Sequence, residues 1–141
     1  MQESGRSRRR FLHGMTLSML VLSATLDAHH AITAIYDNSK PITLRGTVAE
    51  FQFVNPHPFL MIEAPDDRGR PRTWQLEMDN RFELVAIGMT AESFKKGDRV
   101  VVTGGPARSR SNGLYVLRLD READGLRYEQ IGSSPRLTRN Q

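Results

Sequence analysis

The segment ITLRGTVAEFQFV, residues 42–54, constrains the fold more than any other stretch of the chain. Ile42, Leu44 and Val48 share one parity, whereas Ala49, Phe51 and Phe53 share the other, so the apolar side of the strand changes halfway along. A chain of period two can do this only through a bulge or a bend, and Gly46 is the residue expected to permit one. A long, bent first strand is what a small closed barrel uses to take part in both of its sheets.

The rest of the pattern agrees with a barrel. Asn55-Pro56-His57-Pro58 breaks the first strand, and FLMIEA then reads as a well-buried second strand. After the polar turn Asp66 to Pro71, residues Thr73 to Met78 alternate, with Trp74, Leu76 and Met78 on one face and Thr73, Gln75 and Glu77 on the other. Asn80 and Glu83 have the spacing of a helix cap, and Phe82, Val85, Ala86 and Met89 follow at helical intervals until Gly88 limits the helix. TAESFKKGD is expected to form another helical turn. RVVVTG and LYVLRLD are the last two main strands, joined by a loop from Gly104 to Gly113, and Asp124-Gly125 turns a short hairpin through Leu126 to Ile131. The fold class is therefore mainly β: a small five-stranded OB-like Greek-key barrel with one short helix between strands 3 and 4. A sandwich of the same strands is the alternative. The expected organisation is a leader at 1–28, an extended arm at 29–41, the barrel at 42–131 and a disordered tail at 132–141.

The leader has the three parts of an export signal: a basic stretch, an apolar segment and small residues. Within it, Arg8, Arg9, Phe11 and Leu12 resemble the twin-arginine signature of a pathway that exports folded proteins, with His13 where Lys is commoner. The apolar run Gly14 to Leu26 is shorter than the roughly 20 residues a membrane-spanning helix needs, so no stable anchor is expected after processing. Cleavage is placed after Ala28, with Ala24 as the competing site. The expected location is the periplasm or the exterior.

Of the 20 Lys and Arg and 16 Asp and Glu, the leader removes Arg6, Arg8, Arg9, Arg10, Glu3 and Asp27. The remaining 16 basic and 14 acidic residues do not make a polyanion binder, and no nucleic-acid partner is expected. The chain has no cysteine, which excludes thiolate zinc sites, iron–sulfur clusters and thiol nucleophiles.

His29-His30, Lys40 to Val48, Asn55-Pro56-His57, Trp74, Glu77, Gly88 and the SFKKGDRVVVTG segment form one pattern. In these residues the mature part resembles a family of short exported bacterial proteins, domain of unknown function 6152. Ala31 departs from the family's usual Ser. The resemblance implies an exported OB-type domain and brings no activity with it.

Cleavage after Ala28 makes His29 the mature N-terminus, where its α-amine and imidazole can close a chelate ring on one metal ion. An α-amine has a pKa of about 7.7–8.0, so near neutral pH it yields its proton to a metal far more readily than a lysine. His57, on a loop stiffened by Pro56 and Pro58, is the candidate third nitrogen, and such a set suits Cu(II). His30, Asp37, Glu77 or Met78 are the candidates for a further ligand. The competing reading makes the histidines structural, with His57 bonding its own loop in place.

No nucleophile with a base, phosphate cradle or fixed carboxylate pair stands out, so no catalytic residue is named. Arg108 and Arg110 with Phe51, Phe53 and Phe59 could form a strand-binding surface, but the phenylalanines are spaced as core and the arginines sit at a solvated loop. The remaining class is a binding module whose partner is either a divalent metal ion or an envelope protein, the latter met through the barrel face or the Arg45 and Arg99 surface.

Overall fold

The computed structural model describes residues 32–139. The chain divides into two units, Met1–Ala34 and Ile35–Gln141, and every element below belongs to the second. Among the described residues of that unit, the strands and helix follow in the order β1 (Ile42–Gln52), β2 (Phe59–Pro65), β3 (Pro71–Glu77), α1 (Arg81–Ala86), β4 (Arg99–Pro106), β5 (Gly113–Arg121), β6 (Leu126–Ile131) and β7 (Ser134–Arg139).

The sheet runs β3-β2-β1-β4-β5-β6-β7, and β3 also pairs with β5. That second pairing is parallel, from Gln75 opposite Gly113 to Glu77 opposite Tyr115, and it closes β1 to β5 into a barrel. A five-stranded barrel with a helix between its third and fourth strands is the OB architecture expected from the sequence. The β6–β7 hairpin extends the sheet from the C-terminal half of β5, where Arg118 to Arg121 face Glu129 to Leu126.

Several local expectations are corrected. The irregularity in β1 lies between Val48 and Glu50, so Ala49 rather than Gly46 is the extra residue that shifts the apolar phase. Gly46 serves close approach instead: a Cβ there would lie 2.6 Å from the Glu63 carbonyl oxygen of β2. Residues 90–98 form hydrogen-bonded turns rather than a helical turn, with Ser93 Oγ accepting from Thr90 N and Asp98 Oδ2 from Lys95 N. β4 runs on to Pro106, which shortens the expected loop. The tail expected to be disordered carries β7, and residues 32–35 of the arm are helical rather than extended. In α1 the Asn80 cap is as expected, its side chain accepting from Glu83 N. The apolar face is different, since Leu84 is buried while Phe82 is 83% exposed.

The barrel interior is filled by alternate residues of every strand: Leu44 and Val48, Leu60 and Ile62, Trp74 and Leu76, Val100 and Val102, Leu114 and Val116. Leu84, Met89 and Phe94 from the β3–β4 connection join this core, and Leu119, Leu126 and Tyr128 continue it under the hairpin. FLMIEA is buried on one face only, because Leu60, Ile62 and Ala64 point inward while Glu63 is exposed.

Arg121 ties these parts together. Its guanidinium takes both oxygens of Asp124 at 2.9 and 2.8 Å, reaches Asp98 Oδ2 at 3.0 Å and donates to the Ser93 carbonyl. It also sits 5.5 Å from the centre of the Phe94 ring. One side chain thereby fastens the β5–β6 turn to the chain entering β4.

Candidate functional site

The loop between β1 and β2 is held against the end of β3. Proline has no N–H to donate, so Pro56 and Pro58 contribute through their carbonyls. Pro58 O accepts from Met78 N at 3.0 Å and Pro56 O from Arg81 N at 2.9 Å. Between these two bonds His57 Nδ1 lies 3.0 Å from Met78 O. A carbonyl oxygen can only accept, so Nδ1 carries the hydrogen and donates it. The carboxylate of Glu77 approaches the same nitrogen, Oε1 at 3.6 Å.

Glu77 is in turn held from the N-terminal arm. Tyr36 donates its hydroxyl to Glu77 Oε2 at 2.5 Å. The Tyr36 ring is 1% exposed and lies tilted against Tyr115, with 5.8 Å between centroids. Backbone bonds fix the arm on both sides of it: Arg108 N donates to Ile35 O and Asp37 N to Pro106 O, each at 2.9 Å. The arm crosses β4 where Gly105 leaves room, since a Cβ there would fall 2.0 Å from Asn38 Oδ1. Burial first, then the hydrogen bond to Glu77 and its charge, raises the Tyr36 phenol above its ordinary value. The phenol therefore stays protonated and remains a donor.

The other edge of this face is formed by the β4–β5 loop. Arg110 donates to the Gln75 side chain, Arg72 to Ser111 Oγ at 2.9 Å, and Asn112 Nδ2 to Thr73 O at 3.0 Å. The loop thus lies on the outer side of β3, next to Glu77.

His57 and Glu77, twenty positions apart, are brought together as one polar cluster. Nε2 of His57 has no hydrogen-bond partner among the described residues. The His57 side chain as a whole is partly buried, 22% exposed. Met78 is withdrawn from the candidate ligands because its side chain is fully buried in the core. Asp37 is occupied, accepting from Ser39 Oγ at 2.6 Å with Arg108 3.6 Å away. Arg45 and Arg99 both face Glu122, at 3.9 and 2.9 Å. His29, His30, Ala28 and the leader residues Arg8, Arg9, Phe11 and Leu12 lie outside the described residues. Among the described residues, no group of three or more His, Cys, Asp or Glu is arranged to hold a metal ion.

The sequence reading missed Tyr36, Tyr115 and the Met78 carbonyl. A backbone acceptor leaves no trace in residue type, and Tyr36 sits in an arm with no periodicity to mark it as buried. Its aromatic character just before the turn-formers Asp37, Asn38 and Ser39 was the single available signal.

Residues 18–115 match the model of the family of unknown function DUF6152, and the chain belongs to that family. No curated protein and no solved structure matches it.

Proposed function

We propose that this DUF6152 protein is an exported binding module, not a catalyst, and that it takes a divalent metal ion, copper foremost. His57 Nε2 would supply one nitrogen. The α-amine and imidazole of His29 would supply two more once the leader is cut after Ala28, with His30 beside them. The observation that carries this reading is the state of His57: its Nδ1–H is committed to Met78 O, which leaves the ring's lone pair on Nε2, in a side chain 22% exposed. Metal-ligating histidines characteristically donate their other ring N–H to a carbonyl or carboxylate, and His57 has both within reach.

The test is a Cu(II) titration with electron paramagnetic resonance on protein that begins at His29, beside protein carrying one extra N-terminal Ala. One-to-one binding with a nitrogen-rich signal, lost on adding the residue, supports the proposal. Equal, weak binding by both proteins refutes it.

A second reading, an envelope partner-binding or small-ligand module with structural histidines, draws on Phe82, 83% exposed, and on Val54 and Val85, each about half exposed. His57→Asn separates the two readings, because an asparagine amide can replace the Nδ1 donor but supplies nothing at Nε2. Unchanged partner binding favours the second reading; lost copper binding with unchanged stability favours the first.

A further inference from the structure

We infer that Tyr36 and Glu77 are positioning residues for His57, which keep the imidazole proton on Nδ1 and present Nε2 as this ring's donor nitrogen to a metal ion. The inference rests on the metal reading above and deepens it by assigning Glu77 a place behind the ligand rather than on the metal.

Both Glu77 oxygens have neighbours inside the cluster. Oε2 accepts the Tyr36 hydroxyl at 2.5 Å, and Oε1 faces His57 Nδ1 at 3.6 Å. The carboxylate is 15% exposed and the imidazole 22%, so the charge acts on the ring with little water between them. A negative charge on the Nδ1 edge favours the hydrogen at that edge and leaves the lone pair on Nε2. Tyr36 cannot rotate away, since its ring is buried against Tyr115 and its backbone is bridged to Ala107. The chain Tyr36, Glu77, His57, Met78 O therefore sets one ring orientation, and it does so from three separate segments: the arm, the end of β3 and the β1–β2 loop. Met78 O alone would bond Nδ1 but would not add charge. Glu77 supplies the charge, and Tyr36 fixes where that charge sits.

The test uses nitrogen-15-labelled protein beginning at His29. Long-range proton–nitrogen spectra of the metal-free form read the His57 tautomer directly, and Cu(II) titration reads affinity. The wild type is expected to show the Nδ1–H form. In Glu77→Gln that form should give way to a mixture, and Cu(II) affinity should fall roughly 10–100-fold, the usual loss when an outer-shell partner is removed. Tyr36→Phe, which removes one hydroxyl from a buried ring, should move both readouts in the same direction by less, and it serves if Glu77→Gln does not fold. An unchanged tautomer in the variants overturns the inference, whatever copper does. A wild type that binds no Cu(II) but shows the Glu77-dependent tautomer overturns the metal reading alone and leaves the positioning of His57 standing.

Discussion

Replacing Arg121 by Met removes the fastening between β5, the Asp124 turn and the chain entering β4 while keeping most of the aliphatic stem. The Arg121 side chain is 11% exposed and Asp98 21%, so their charge-assisted bond should contribute about 1.5–3 kcal/mol. The two bonds to Asp124, which is 38% exposed, add at most about 1 kcal/mol after screening. The contact over Phe94 adds about 0.5–1 kcal/mol. These contributions share one side chain and do not add fully, so the expected loss is about 3 kcal/mol, or about 10–20 °C in Tm. Acid supplies an internal check. Arg121 holds the Asp124 carboxyl at about 2, below its ordinary 3.8. A depressed carboxylate stabilises the fold fully above its unfolded value, and that contribution is lost as pH falls through the folded one. The gap between wild type and Arg121→Met, measured by urea unfolding, should therefore narrow between about pH 5 and pH 2. A loss under about 1 kcal/mol at pH 7, unchanged at pH 2, would refute this account of Arg121.

Three further outcomes are expected. The chain's three tyrosines, Tyr36, Tyr115 and Tyr128, are all pushed above their ordinary value of 10, burial being the first cause in each. Their contribution to stability is complete below pH 10 and declines above it, so tyrosinate absorbance should rise together with loss of the circular-dichroism signal, and separate ionisation before unfolding would contradict the burial. Gly46→Ala places a methyl 2.6 Å from the Glu63 carbonyl and should cost about 1–3 kcal/mol in thermal unfolding; a neutral result would mean that β1 and β2 lie further apart than described. Phe82→Ser, at a side chain 83% exposed, should change stability by no more than about 0.5 kcal/mol, and a larger loss would show that this ring is covered.

The barrel was legible in the sequence wherever one face of a strand is buried and the other is not. Trp74, Leu76 and Met78 alternate because β3 has a single interior side, and the phase change in β1 announced a bulge whose exact position only pairing with β2 fixes. The α1 face was misread for a physical reason: in six residues, Leu84 suffices to anchor the helix, and Phe82 at apparent helical spacing is left outside. β7, Ser-Pro-Arg-Leu-Thr-Arg, has too little apolar alternation to read as a strand and is ordered by pairing with β6. At the site, His57 and Glu77 were visible as residue types. Their adjacency was not, because it comes from the β2–β3 register that sets Phe59 opposite Glu77.

The parallel pairing of β3 with β5 is the shortest in the sheet, three residues on each strand, and its last pair is Glu77 with Tyr115. Parallel pairs are also slightly weaker per residue than antiparallel ones. Breathing of the molecule should begin at this joint, and each excursion separates the carboxylate from the Tyr36 hydroxyl, whose segment is bonded to Pro106 and Arg108. Whatever occupies the closed arrangement alone then works as a latch, since binding withdraws molecules from the parted state in proportion to concentration. Amide hydrogen exchange at Leu114 and Tyr115 becomes a gauge of occupancy that requires no label on the occupant.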